Sequence, residues 1–145
     1  MIGLIQRVSS GQVVINEQTV AKIQMGIVAL VAVQPNDSTE RCERLLQRIM
    51  NYRIFPDNAD KMNLSLLDID GGLILVPQFT LVADTSRGNR PSFGKNVPAE
   101  VGKHYFEQLI VHAKKEYNSV QHGVFGADMQ VTLTNKGPVT FWLEV

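Results

Sequence analysis

Gly26-Ile27-Val28-Ala29-Leu30-Val31-Ala32-Val33 is the longest apolar run in the chain. It is short and rich in β-branched residues, which predicts a strand buried on both faces. It also falls far short of the roughly 20 residues that span a bilayer. On its N-terminal side Ile2 to Val8 forms a first apolar-rich strand. Gln12 to Ile15 and Thr19 to Ile23 flank Asn16-Glu17, and the three segments predict a β-hairpin. On its C-terminal side a helix begins near Asp37. Asp37 suits the cap, with Glu40 three residues on as the partner in a capping box. Cys42, Leu45, Leu46, Ile49 and Met50 then recur at helical spacing, while Arg44, Gln47 and Arg48 take the other face.

Further along, Ile54-Phe55 is extended and Asp57 to Asn63 is a polar loop. Leu73 to Leu81 is a second apolar run, interrupted at Pro77-Gln78. Proline cannot donate to a sheet ladder, so Pro77 marks an edge, a bulge or the end of pairing. Asp84 to Val97 is the longest irregular stretch. Pro98 suits the first turn of a second helix, whose apolar stripe is Phe106, Leu109, Ile110, Ala113 and Tyr117. Met129, Val131 and Leu133 alternate with polar residues, Asn135-Lys136-Gly137-Pro138 is a turn, and Val139, Phe141, Leu143 and Val145 resume the alternation. The pattern predicts an α+β fold of mostly antiparallel β-sheets in a barrel-like core, with two main helices packed outside.

The chain has 145 residues, one domain's worth, so residues 1–145 are expected to form a single domain. Lys+Arg is 14 and Asp+Glu is 14, a balance that excludes a generally polybasic nucleic-acid binder. Any contact with RNA must come from a local patch or a shaped pocket. A single cysteine excludes a disulfide framework and fits a reducing compartment. The opening Met1-Ile2-Gly3-Leu4-Ile5-Gln6-Arg7 reaches polar residues too early for a signal peptide. The expected location is cytoplasmic.

Several familiar chemistries are missing. There is no Gly-rich phosphate loop before a helix and no Gly-x-Ser-x-Gly elbow. His104, His112 and His122 lack zinc-ligand spacing and read as solvent-facing, so no metal and no cofactor are expected. Cys42 lies on an apolar stripe and reads as a small buried hydrophobe. Asp57, Asp60, Asp68 and Asp70 fit no calcium loop and read as turn formers. An enzyme with this inventory has to draw on backbone donors and on its own substrate.

Two segments remain. Pro77-Gln78-Phe79-Thr80-Leu81 on a strand delivers Gln78 and Thr80 to one face, where a carboxamide and a hydroxyl can orient a carbonyl or a water. On the residues alone the favoured reading is an ordinary edge strand with two solvated polar side chains. Asn135-Lys136-Gly137-Pro138-Val139-Thr140 is either a plain turn or, with a cis Gly-Pro bond, a rigid loop that aims carbonyl oxygens at a cation.

Together these segments resemble the D-aminoacyl-tRNA deacylase (D-tyrosyl-tRNA deacylase) family. The resemblance runs end to end. It includes Ile5-Gln6-Arg7-Val8, Asn51-Tyr52-Arg53-Ile54-Phe55, Lys61-Met62-Asn63, Gln78-Phe79-Thr80-Leu81, Arg90-Pro91-Ser92-Phe93, Phe125-Gly126-Ala127-Asp128-Met129 and Asn135 to Thr140. It implies a homodimeric hydrolase that cleaves the ester joining a D-amino acid to the 3′-terminal adenosine of tRNA. It implies that Gln78, Phe79 and Thr80 line the catalytic site, with backbone N–H groups around Gln78 and Phe79 holding the oxyanion. The ribose 2′-hydroxyl then activates water, and Thr80 has a positioning role; Thr80 as a covalent nucleophile is the competing mechanism, without a visible base.

The resemblance also implies that Gly137-Pro138 is a cis turn inserted from one subunit into the other's pocket. There its carbonyls hold the substrate's α-ammonium and its backbone excludes an L side chain, so glycine leaks through. Phe125 and Met129 belong to an adenosine pocket or, for Met129, to plain core. Arg87, Arg90 and Lys95 either meet acceptor-stem phosphates or form a solvated loop. The family usually has Ser before Gln-Phe-Thr, where this chain has Pro77. A related deacylase of relaxed chirality and a non-catalytic RNA-binding module are the alternatives.

Overall fold

The computed structural model describes residues 1–94 and 96–145. Eight strands and two helices follow in the order β1 (Ile2–Ile15), β2 (Gln18–Ile23), β3 (Gly26–Ala32), α1 (Thr39–Asn51), β4 (Phe55–Pro56), β5 (Met62–Leu64), β6 (Gly72–Pro77), α2 (Ala99–Glu116), β7 (Val120–His122) and β8 (Gln130–Glu144). A 3₁₀ turn, Phe79–Val82, follows β6. The main sheet has the order β2-β1-β3-β6-β7, with β8 on β1. It is a nearly closed, barrel-like mixed sheet. β1 pairs antiparallel with β2, β3 and β8, while β3–β6 and β6–β7 are parallel.

β3 behaves as its composition requires. Ile27, Ala29 and Val31 pack in one apolar cluster beneath the helices, and Val28 packs in a second cluster inside the barrel. β6 does the same, with Leu73 and Leu75 on the helix side and Ile74 and Val76 inside. The stripes of α1 (Cys42, Leu45, Leu46, Ile49, Met50) and α2 (Gly102, Phe106, Leu109, Ala113) cover the first cluster. The two ends of the sheet are joined by a side chain. Gln121 on β7 accepts from the Lys22 N–H and donates to the Lys22 carbonyl, both at 2.6 Å, so its amide stands in for a strand residue against β2.

Four expectations need correction. β1 runs unbroken through Ser9-Ser10-Gly11, because β8 pairs along both its halves. A Cβ at Gly11 would stand 2.8 Å from Val28 Cγ2, so only glycine lets the strand pass over the barrel interior. The α1 cap is Ser38, whose Oγ accepts from the Arg41 N–H at 3.4 Å. Asp37 is taken instead by the buried Met1 ammonium at 2.6 Å and the Gln34 N–H at 2.7 Å. Pro98 stands at the cap position before α2, one residue ahead of its first turn. Asn135 to Pro138 does not end a strand. β8 continues past it, with Gln6 opposite Thr140 and Val8 opposite Asn135, so Lys136 to Val139 bulge out beside Arg7.

Other assignments match. Asn16 (φ 48) and Glu17 (φ 64) form the two-residue hairpin loop in the left-handed conformation that such turns need. Asp57 accepts from the Ala59 and Lys61 N–H groups, and Asp68 from the Ser65 N–H and hydroxyl; these bonds hold both carboxyls below the usual carboxylate range.

Candidate active site

Parallel β3 and β6 both end at a cavity of about 790 Å³, within the range of ligand pockets. Val31 and Val33 come from β3 and its exit, and Val76 and Pro77 from β6. Gln78 and Phe79 follow directly. Phe93, Asn96 and Val97 enter from the long loop, Gly102 and Phe106 from α2, and residues 125–129 from the loop before β8.

Gln78 and Thr80 do not share a strand face, contrary to the sequence reading. β6 ends at Pro77, which still pairs with Val31 although proline has no N–H to give the ladder. The Gln78 N–H still reaches the Val31 carbonyl at 2.7 Å, and the chain then tightens into the 3₁₀ turn. Gln78 is thus committed at its backbone and is not an oxyanion donor. Leu81 and Ala83 N–H groups close the turn onto the Gln78 and Thr80 carbonyls. The first N–H groups of such a turn have no partner within it, and those of Phe79 and Thr80 have none among the described residues. The Gln78 side chain donates to Thr80 Oγ, and Thr80 lies outside the cavity wall. Phe79 is 57% exposed and packs on Phe93 with ring centroids 5.3 Å apart.

Phe125 and Met129 both line the cavity. Phe125 is fitted against α2 because Gly102 carries no side chain: a Cβ there would stand 3.0 Å from Phe125 Cζ. Gly123 makes room for Met129 in the same way, at 2.6 Å from its sulfur. Among the described residues Asp128 is the one ionisable side chain of the wall, and they assemble no nucleophile–base pair there. Phe93, Asn96 and Gly102 were not singled out from the sequence for this wall. Their segments are separated along the chain, and only the tertiary fold brings them together. Asn96 donates to the Phe79 carbonyl at 3.2 Å, tying the long loop to the 3₁₀ turn.

Gly137–Pro138 lies elsewhere. The bond is cis, Gly137 has φ 146, and both residues are exposed and absent from this chain's own cavity wall. The bulge is held from two sides. Arg7 Nε donates to the Lys136 carbonyl at 2.8 Å, and the same guanidinium donates to the Ile54 carbonyl at 2.7 Å. Asn135 Oδ1 accepts from the Val139 N–H at 2.6 Å, while its Nδ2 donates to Thr140 Oγ at 2.9 Å.

Elsewhere, Cys42 is fully buried and burial pushes its thiol up to about 11, so it is packing and not a nucleophile. Among the described residues no three His, Cys, Asp or Glu side chains gather to hold a metal. No helix is long and apolar enough to cross a membrane. Arg87 and Arg90 are exposed in the loop that carries Phe93; Lys95 lies outside the described residues.

Comparison with known proteins gives a consistent picture. The family model for D-Tyr-tRNA(Tyr) deacylase matches residues 4–144. A protein of Francisella tularensis named D-aminoacyl-tRNA deacylase is 52% identical over 145 residues, covering all of both chains. One of the same name from Pseudomonas putida is 50% identical over 145 residues, again covering all of both. Among solved structures, the c-Myc DNA Unwinding Element Binding Protein aligns with TM-score 0.93 and 30% identity, covering 100% of this chain and 99% of that one. A probable eukaryotic D-amino acid tRNA deacylase aligns with TM-score 0.87 at 15% identity, covering 99% and 98%, a likeness of fold.

Proposed function

The chain belongs to the D-Tyr-tRNA(Tyr) deacylase family, hydrolases of D-aminoacyl-tRNA, and from that premise we propose how its cavity and its cis turn divide the work of chiral proofreading between two subunits. The observation that carries this reading is the place of Gly137–Pro138. The turn is exposed, braced by Arg7 and Asn135, and absent from the wall of its own chain's cavity. Such a braced, exposed turn fits a role in the cavity of a second copy. Its carbonyl oxygens would receive the substrate's α-ammonium, and its backbone would exclude an L side chain whatever the amino acid. Glycine has no excluded group and passes.

In this scheme the terminal adenosine lies against Phe125 and Met129, and the ester carbonyl points to the Phe79 and Thr80 N–H groups. These donors replace the Gln78 and Phe79 pair, since the Gln78 N–H is spent on Val31. Removing one such donor typically costs about 10²–10³ in rate. Among the described residues the wall pairs no nucleophile with a base, which supports the ribose 2′-hydroxyl as the group that orients and polarises the water. The water oxygen bonds to the ester carbon, the bond from that carbon to the ribose 3′-oxygen breaks, and the water's protons pass to the leaving ribose oxygen and the solvent. The products are a free D-amino acid and tRNA with its 3′-hydroxyl restored. No cofactor takes part, and the reaction belongs to the cytoplasm, where charged tRNA is used.

The test is hydrolysis of D-tyrosyl-, L-tyrosyl- and glycyl-tRNA by one preparation. The D-tyrosyl and glycyl esters are expected to turn over and the L ester to survive. Equal D and L rates would overturn the filter while leaving the deacylase activity standing.

A further inference from the structure

The chain is electrically neutral, with 14 basic and 14 acidic residues, yet its substrate is a polyanion. Affinity for that polyanion must come from the few cations that are both free and near the cavity. Most arginines are not free. Arg7 serves the Lys136 and Ile54 carbonyls, Arg41 the Val145 carbonyl, Arg48 the Glu144 carbonyl and Arg53 the Asn63 carbonyl. Among the described residues Arg44 has no partner, but it belongs to α1, none of whose residues line the cavity. Arg87 and Arg90 differ on both counts. They are exposed, they have no hydrogen bond or ion pair among the described residues, and they lie in the loop that delivers Phe93 to the cavity.

That loop is anchored at its base. Asp84 and Ser92 form an antiparallel bridge, with N–H to carbonyl distances of 2.8 and 3.0 Å. Gly88 turns the tip with φ 63 and open space around it. Phe93 stacks on Phe79 directly after the bridge. The loop therefore carries two exposed arginines in the segment that leads directly into Phe93, a residue of the cavity wall.

We propose that Arg87 and Arg90 form a phosphate clamp that takes the single-stranded 3′ end of the tRNA as it leaves the cavity. This rests on the deacylase reading and adds to it the surface that separates a whole tRNA from its terminal nucleoside. Planar guanidiniums match phosphate oxygens in pairs. Such contacts fix the strand's path and carry no sequence information, as an enzyme serving many tRNAs requires.

The test compares D-tyrosyl-tRNA with 3′-O-(D-tyrosyl)adenosine, which keeps the ester and nucleoside but has no phosphate. In the Arg87→Gln/Arg90→Gln double variant the ratio of KM for tRNA to KM for the adenosine ester is expected to rise roughly tenfold, an exposed charge contact contributing up to about fivefold. The slope of log kcat/KM for tRNA against log salt is expected to become shallower by about 1.4, near 0.7 for each single-strand phosphate contact. Arg87→Lys/Arg90→Lys keeps the charge and is expected to restore the slope. An unchanged ratio and slope overturn the clamp, as does an equal loss on both esters, which would mean that the loop only shapes the cavity. A native protein inert on both esters would overturn the deacylase reading, and the clamp with it.

Discussion

Arg7 spends one guanidinium on two carbonyls, Lys136 and Ile54, that nothing else joins. Its backbone stands opposite the bulge in β8, so the residue that interrupts the pairing also supplies the brace. Arg7→Ala removes two charged donors, each worth about 1.5–3 kcal/mol where the acceptor is left without a partner. The expected outcome is a D-tyrosyl-tRNA kcat/KM at least tenfold lower, with the melting temperature falling far less than a core substitution would cause; single-turnover rates and thermal melts check it. Thr80 is a different case. Its hydroxyl accepts from Gln78 and stands outside the cavity wall, while its backbone N–H is the donor proposed for the oxyanion. Thr80→Ala keeps that N–H and is expected to stay within about tenfold of native, about 1.4 kcal/mol. Loss of all turnover with binding intact would instead point to a covalent route. Pro77 follows similar logic. Val76 is already extended, as a residue before proline prefers, and the ladder resumes at Gln78. Pro77→Ser is expected to shift the D-ester rate by no more than about tenfold and to leave L-esters untouched, measured on the same tRNA preparation.

Among the elements, what could be read from the sequence was what is decided locally. Gly26 to Val33 announced a doubly buried strand, and the structure packs Val28 and Ile27 into separate clusters. The stripes of both helices were equally legible, because their period is set within two turns. The parallel pairing of β3, β6 and β7 was not, since each partner is remote in sequence. The β8 bulge has the composition of a hairpin turn, and only β1, pairing on both sides of it, keeps the strand running. The candidate segment Gln78-Phe79-Thr80 was visible, but its shape was not, because the turn follows the capture of the Gln78 N–H by the Val31 carbonyl. Gln121 belongs with these non-local features. Its amide closes the sheet by pairing with both backbone groups of Lys22. Gln121→Ala loses two exposed hydrogen bonds that water partly replaces, an expected cost of about 1 kcal/mol. Thermal unfolding is expected to show a fall of roughly 3 °C for a chain of this size. Faster amide exchange should be confined to β2 and β7.

At the scale of the whole molecule, the cavity and the cis turn are separate parts of one chain, and their separation makes assembly a testable matter. β8 pairs with β1 alone among the described strands, which leaves its other edge open, and the strand carries a half-exposed Trp142. A long open strand of this kind is a ready surface for a second copy, and a two-fold pairing would repeat each contact in both directions. Two disabled chains can then rescue one another. Gly102→Phe fills the cavity, since even a Cβ there meets Phe125 at 3.0 Å. Gly137→Val destroys the turn, since φ 146 disfavours a side chain and a Cβ would fall 2.6 Å from Val139 Cγ2. Each variant alone is expected to be inactive on D-tyrosyl-tRNA. If the turn acts across subunits, a mixed dimer joins the intact cavity of the Gly137→Val chain to the intact turn of the Gly102→Phe chain. Unfolding and refolding the two together in equal amounts should recover about a quarter of the native activity, because half of the dimers are mixed and each has one complete site. A turn serving its own chain would leave every cavity in the mixture either blocked or without its filter, and no activity would return.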